Sequence, residues 1–291
     1  MRVAIIGGSG RMGRWFADFL LKDGKEVVIT GRNQKKLLEA KQQLGGVEFT
    51  TNNAEAVENA DTVLVSVPIN TFEEIVEQFS PHTHSGQVII EITSVKVAPV
   101  EAMHRHIKAG VTLGVHPMFG PGAKSMANQN FVLTPTNKDE RILAQKVRQY
   151  LESRGAAVTL MSPQEHDEMV TIILGLSHFI AIVSADSLAG LERLKEMGAI
   201  GSSTYRVLLT LVGSVISEDP ELYTSLQMNL PNMAKVEEQF HTNSKKWADL
   251  VKNRDGQEFA KQMSVLKNKL EKSGLDFKKA YENMYKVVEG A

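Results

Sequence analysis

Along the first half of this 291-residue chain, short apolar runs alternate with amphipathic segments of helical period, and long apolar helices replace them in the second half. Strands are predicted at 2–6, 26–30, 47–51, 62–67, 87–92, 111–115, 131–133 and 157–160, with helical segments between most of them. That alternation implies a mainly parallel sheet covered by helices on both faces. The pattern changes near residue 162. Ser162-Pro163-Gln164-Glu165 combines a capping serine, a proline at the first helical position and a glutamate that can reach back to the cap, which predicts a helix start. Beyond it, 169–188 is apolar on every side and 207–216 nearly so. Helices apolar all round are buried or membrane-spanning, and the second run is shorter than the roughly 20 residues a bilayer requires. Both read as core helices that a second copy of the chain buries further, so a homodimer is expected. The stretch 231–288 reads as amphipathic helix rich in Lys and Glu. The expected architecture is an α/β domain over 1–161 and an all-helical dimerisation domain over 162–291.

The first strand runs directly into Gly7-Gly8-Ser9-Gly10-Arg11-Met12-Gly13, and a helical pattern follows at once through Trp15, Phe16, Phe19 and Leu20. Gly8, Gly10 and Gly13 fit G-x-G-x-x-G in the strand-to-helix setting that gives the motif meaning. The first two glycines let the backbone turn and approach a pyrophosphate, the third lets helix and strand pack closely, and the helix start offers N–H groups to phosphate. The α/β half is therefore expected to be a Rossmann dinucleotide-binding domain, with Ser9, Arg11 and Met12 in the loop and Val67-Pro68 over the cofactor. The second strand ends in Thr30-Gly31-Arg32-Asn33. An NAD-selective site offers an acid to the ribose hydroxyls there; none is present, and Arg32 suits a 2′-phosphate. NADP is the expected cofactor, with NAD possible, and Arg11 and Lys35 add positive charge.

Val115-His116-Pro117-Met118-Phe119-Gly120-Pro121 closes a later strand. Ligands of open α/β sheets bind at such strand ends, histidine titrates near neutrality, and the flanking prolines stiffen the backbone. A positioned proton acceptor beside a nicotinamide suggests oxidation of an alcohol-like group.

Composition adds exclusions. Lys plus Arg number 33 against 34 Asp plus Glu, a net charge of −1, which gives no reason to expect nucleic acid or an anionic membrane as partner. Cysteine is absent, ruling out disulfides, thiolate catalysis and Cys-based metal sites. The amino terminus enters a strand at once, so no signal peptide is expected and a cytoplasmic location is the default. His82, His84, His104 and His106 resemble a metal cluster on paper, but Pro81 and Ser85 mark a loop around the first two, and His104-Arg105-His106 has odd spacing for one helix face and no apparent carboxylate partner. They read as surface residues, and no metal is expected.

The glycine loop, Ser66-Val67-Pro68, Thr93-Ser94-Val95-Lys96, His116-Pro117-Met118-Phe119-Gly120-Pro121 and the late helix carrying His178 stand in an order that resembles prephenate and arogenate dehydrogenases, over about residues 1–230. The resemblance implies oxidative decarboxylation in tyrosine biosynthesis: hydride leaves the ring carbon bearing the hydroxyl, carbon dioxide departs and the ring becomes aromatic. It implies that His116 accepts the hydroxyl proton, that Ser94 hydrogen-bonds the same hydroxyl and that His178 faces the substrate. Lys96 is a candidate for holding substrate or nicotinamide, or else a salt-bridged lysine at a strand end. The chain departs from the family pattern where an arginine usually clamps a substrate carboxylate: Gly213-Ser214 stands there, before Glu218-Asp219-Pro220-Glu221-Leu222-Tyr223. A serine common before the helical histidine is Leu174, and a glutamate some members carry after the histidine-proline-methionine segment is replaced by Pro121-Gly122. Arg206 is the nearest replacement for the arginine, with Tyr205 and Lys124 behind it. Alternatives are another NADP-linked oxidoreductase, since the loop and Thr-Gly-Arg also resemble archaeal-type coenzyme-dependent NADP reductases, and a non-catalytic NADP sensor. The former lack the His116 segment; Ser94 and His116 together argue against the latter.

Overall fold

The computed structural model describes Met1–Glu289. The first half runs β1 (Arg2–Ile6), α1 (Arg11–Lys22), β2 (Glu26–Thr30), α2 (Gln34–Leu44), β3 (Glu48–Thr50), α3 (Asn53–Glu58), β4 (Thr62–Val65), α4 (Ile69–Phe79), β5 (Val88–Glu91), α5 (Val97–His106), β6 (Val111–Pro117), β7 (Asn130–Leu133), α6 (Lys138–Glu152) and β8 (Ala157–Leu160). All eight expected strands form one sheet, ordered β3-β2-β1-β4-β5-β6-β7-β8. Strands β1 to β6 are parallel; β7 turns antiparallel to β6, and β8 is parallel to β7.

The strand sequences are apolar almost throughout because both faces are covered. Val3 and Ile5 pack with Phe16, Leu113, Phe131 and Leu133 on one side. Their neighbours Ala4 and Ile6 pack with Val63, Phe72, Phe79 and Met103 on the other. From β1 the order runs outward both ways, to β2 and to β4, so the carboxyl ends of β1 and β4 flank the crevice where such sheets bind ligands.

The helix start expected at Ser162 forms as a reciprocal cap: Ser162 N–H donates to Glu165 Oε2 at 2.9 Å, and Glu165 N–H donates to Ser162 Oγ at 3.2 Å. The helix it opens, α7 (Pro163–Val170), belongs to the first of two compact units, which comprises Met1–Val170 and Met228–Pro231.

The second unit holds a π-helical stretch, Thr171–Leu176, then α8 (Ser177–Ala189), α9 (Leu194–Ala199), α10 (Ser203–Ile216), α11 (Pro220–Asn229) except its last two residues, α12 (Met233–Lys252), α13 (Gly256–Lys272) and α14 (Ala280–Glu289). The stretch expected as amphipathic helix over 231–288 is divided into three helices. Arg254 and Gly274 take positive φ (53° and 91°), a left-handed backbone that stops each turn. The apolar run 169–188 is less buried within its own chain than expected: Ala181 alone is buried in α8, and Ile172 and Ile173 are about half exposed. Pro163–Ala189 is the one stretch, among the described residues, long and apolar enough to cross a membrane, on length and composition alone.

Candidate active site

The glycine loop has the close approaches its sequence demands. A Cβ on Gly13 would lie 2.7 Å from both Gly7 O and Gly8 Cα, backbone atoms that cannot swing aside, so only glycine lets α1 sit this close to β1. Gly7 (φ 79°) makes the turn itself, and a Cβ there would strike Ser66 O, which puts Ser66 and Val67 directly against the loop. Helix α1 begins after Gly10 with no side-chain cap, so its first N–H groups are offered to a ligand. Arg14, which sequence reasoning did not single out, fixes the loop: its Nε donates to Ser9 O at 3.0 Å and its Nη2 to Lys36 O at 3.1 Å. At the end of β2, Gly31 lies against Ser9, whose Oγ would be 2.8 Å from an added Cβ. Asn33 caps α2 by accepting from Lys36 N–H at 3.1 Å. Arg32 between them is exposed, with no ion pair or hydrogen bond among the described residues. A cradle that glycines alone can line, an uncapped helix start and an uncommitted guanidinium fit the diphosphate and ribose of a nicotinamide dinucleotide.

Histidine 116 sits near the end of β6, 4% exposed, in the strand next to the β5–α5 connection that carries Ser94. The parallel register Glu91↔Gly114 brings Ser94 and His116 to the same edge of the sheet. The Ser94 hydroxyl is half-buried and makes no hydrogen bond among the described residues. The segment after His116 is pinned by aromatic contacts: Phe119 meets Trp15 and Phe131 edge-on, with centroids 4.9 and 5.3 Å apart, and Trp15 Nε1 donates to Ala123 O at 2.7 Å.

His116 does not stand alone. Its Nδ1 lies 2.8 Å from His166 Nε2, and His166 Nδ1 lies 2.7 Å from Asp167 Oδ1. Asp167 is itself fixed, accepting the N–H groups of Lys96 at 2.7 Å and Val97 at 2.9 Å at the start of α5. Burial, then the nearby charges of Lys96 and His166, hold the His116 imidazole well below its ordinary pKa. Burial also lowers His166, with Asp167 opposing it. Sequence reasoning passed over both partners. The only signal was an adjacent His-Asp pair on a capped helix, and nothing in the spacing ties residue 166 to residue 116.

Lys96 forms a buried salt bridge, one of the two roles expected for it. It is fully buried and bonded to Glu91, which is equally buried, and it donates to Val115 O at 2.8 Å, so its ammonium is committed inside the domain. Burial raises Glu91 and lowers Lys96, and their mutual attraction offsets part of each shift. Glu91 also accepts Thr93 N–H at 2.8 Å and lies 2.6 Å from Thr93 Oγ1, so the loop carrying Ser94 hangs from the same carboxylate.

In the helical unit, His178 follows the π-helical stretch and packs edge-on against Tyr223, centroids 4.8 Å apart. Its Nδ1 is buried with no partner, and burial lowers its pKa. That is not a satisfied core histidine. Arg206 donates from Nη2 to Val288 O at 3.1 Å, in the last turn of α14, and the neighbouring Tyr205 hydroxyl is buried without a partner. Three of the other histidines have carboxylate partners: His82 with Glu58 and, contrary to expectation, His104 with Glu140, both at 2.5 Å, and His106 with Glu73 at 3.2 Å. Each acid comes from a different element, which spacing along the chain cannot reveal. Among the described residues no group of side chains could hold a metal ion.

Sheet order and glycine cradle define the first unit as a Rossmann-type nucleotide-binding domain, followed by a helical domain. Residues 16–160 match the family described as prephenate dehydrogenase, nucleotide-binding domain, and residues 162–265 match prephenate dehydrogenase, dimerization domain. The chain belongs to the prephenate dehydrogenase family. It is 37% identical over 266 residues to a probable arogenate/prephenate dehydrogenase of Methanocaldococcus jannaschii, covering 90% of this chain and 59% of that protein. It is 30% identical over 238 residues to the T-protein of Haemophilus influenzae, covering 81% and 58%. The chain thus spans about three fifths of the length of these relatives. A solved structure of A. aeolicus prephenate dehydrogenase in complex with hydroxyphenyl propionate and NAD+ has the same fold, with TM-score 0.75, 22% identity, and coverage of 94% of this chain and 98% of that one.

Proposed function

We propose that the protein is a cytoplasmic, homodimeric prephenate dehydrogenase that prefers NADP, catalysing oxidative decarboxylation of prephenate to 4-hydroxyphenylpyruvate. The observation that carries this reading is the pairing of an uncommitted Ser94 hydroxyl with a buried, neutral His116 at one edge of the sheet. A bound nicotinamide supplies the hydride acceptor. Loss of hydride from the carbinol carbon leaves a developing carbonyl, so the hydroxyl proton needs an acceptor in the transition state. His116 takes that proton, and Ser94 holds the hydroxyl oxygen in line. Carbon dioxide loss needs no further base, because the ring becomes aromatic as it leaves.

NADP preference rests on Arg32, placed where an acid would otherwise meet the ribose and left without a partner among the described residues. In the helical unit, His178 with its orphaned Nδ1 and Arg206 with most of its donors unused are the proposed partners of the substrate's carboxylates. Arogenate shares the reacting ring and is the second substrate to test, since the M. jannaschii relative is named for both. A spectrophotometric assay of prephenate and arogenate against NADP and NAD decides: turnover fastest with prephenate and NADP is expected, and binding of NADP with no turnover of either acid would overturn the reading.

A further inference from the structure

Donors and acceptors along the chain from His116 to Asp167 admit one consistent assignment. Asp167 accepts two backbone N–H groups, one on each carboxylate oxygen, and so sits as an acceptor. The ring nitrogen of His166 facing Asp167 Oδ1 therefore carries its proton, and the opposite nitrogen of a neutral His166 is a lone pair. That lone pair faces His116 Nδ1, which must then be N–H. His116 Nε2 is left as the lone pair. It makes no hydrogen bond among the described residues and is not among the sealed, unpartnered atoms.

We propose that His166 is a positioning residue: it locks His116 in the Nδ1–H form, with Nε2 bare as the base, and accepts the Nδ1 proton once Nε2 has been protonated. The step balances. As the substrate's O–H bond breaks, its electron pair stays with the oxygen that becomes a carbonyl, and the proton goes to His116 Nε2. The His116 Nδ1–H bond then breaks while a proton bonds to His166 Nε2, leaving His116 neutral with its tautomer reversed.

The surrounding charges favour the transfer. The groups facing the pair are Lys96 of the β5–α5 connection, its partner Glu91 of β5, and Asp167 of α7. The charge of Lys96 opposes an imidazolium at either ring, but only His166 has the carboxylate of Asp167 bonded to it to offset that charge. Both rings are nearly closed to solvent, at 4% and 1% exposed, so a positive charge left on His116 would have little water to stabilise it.

This inference rests on the proton-acceptor role proposed for His116, and its test is built to separate the two. In the full-length protein at neutral pH, nitrogen-15 NMR of the histidine rings should show both His116 and His166 as Nδ1–H tautomers, whether or not prephenate is turned over. An Nε2–H tautomer at His116 overturns the proposal. If turnover is present, His166→Gln keeps an acceptor near His116 Nδ1 but cannot carry a proton onward. Its kcat should fall at least tenfold, with KM for prephenate and NADP within threefold and the acid limb of the kcat–pH profile moved to lower pH. His166→Phe, which removes the acceptor as well, should be worse in kcat again. A His166→Gln enzyme that binds NADP normally, keeps kcat within twofold and leaves the acid limb in place would show that His166 merely fills space.

Discussion

Lys96→Met isolates the buried charge under the candidate site. Both side chains of the Lys96–Glu91 pair are 0% exposed, and both lie inside the sheet domain. The substitution nearly conserves volume, so packing contributes little to the change. Val115 O loses its donor, and the larger effect falls on Glu91: one oxygen loses the ammonium, while the other keeps Thr93 N–H at 2.8 Å and the Thr93 hydroxyl at 2.6 Å. Removing one partner of a buried ion pair costs about 3–5 kcal/mol, and the surviving Thr93 contacts put this case near the lower end, about 3 kcal/mol. The double variant Glu91→Gln/Lys96→Met removes the charge itself and should recover most of the loss. The sign of the pH dependence follows from burial, which raises the Glu91 carboxyl above its unfolded value. In Lys96→Met the folded state therefore holds its proton to higher pH than the unfolded chain. The penalty should be smallest in mild acid, grow as pH rises through the folded-state pKa, and then level off. Urea denaturation followed by Trp15 fluorescence, in a Trp247→Phe background so that only the sheet domain reports, measures both effects. A single variant within about 1 kcal/mol of the parent, or a double variant no better than the single, would refute the reasoning.

Arg32→Ala should remove most of an NADP-over-NAD preference, on the order of 1.5–3 kcal/mol for a charge-assisted hydrogen bond; equal affinity of the unmutated protein for both dinucleotides, by fluorescence titration, would refute the assignment. His116→Asn should lower kcat by about 10²–10⁴-fold while leaving NADP affinity unchanged, and a variant keeping half the parent turnover would remove His116 from the mechanism. Ile172 and Ile173 are about half exposed, and contiguous exposed apolar surface on a soluble protein marks an interaction site. Light scattering at micromolar concentration should give twice the chain mass, and Ile172→Asp/Ile173→Asp should shift it toward the monomer.

Local pattern carried the sheet. Most strands were marked by an apolar run bounded by turn residues, and the glycine spacing located the cradle because close backbone approach admits no other residue. The Ser162 cap was equally readable, since its partners lie three residues apart. What stayed hidden depends on pairs remote in sequence, Asp167 across to the start of α5 and His166 against His116, and on the fold of the β5–α5 loop that places Glu91 beneath Lys96. The π-helical stretch before His178 was also invisible, because an apolar run has the same composition whether its turns close at four residues or five. The breaks at Arg254 and Gly274 were missed for a related reason: the Lys- and Glu-rich amphipathic pattern continues across both.

Arg206 puts the proposed substrate reading to its sharpest test. A substrate with two carboxylates needs a cationic or multi-donor partner for each one it buries, and the family position for one such partner is Gly213-Ser214 here. Arg206 already has a structural role, since Nη2 donates to Val288 O at 3.1 Å, at the negative end of α14. That bond uses one N–H of the five a guanidinium offers, so the fork that matches a carboxylate is still available. Arg206→Ala should therefore show two separable effects. Loss of the α14 contact should cost about 0.5–1.5 kcal/mol of stability, read as a lower melting temperature. Loss of a carboxylate partner should raise KM for prephenate by about 10–100-fold, the equivalent of about 1.5–3 kcal/mol, with KM for NADP unchanged. A lower melting temperature with KM for prephenate within twofold of the parent would confine Arg206 to holding α14. The carboxylate would then have to be sought at the buried, unpartnered Tyr205 hydroxyl or at His178.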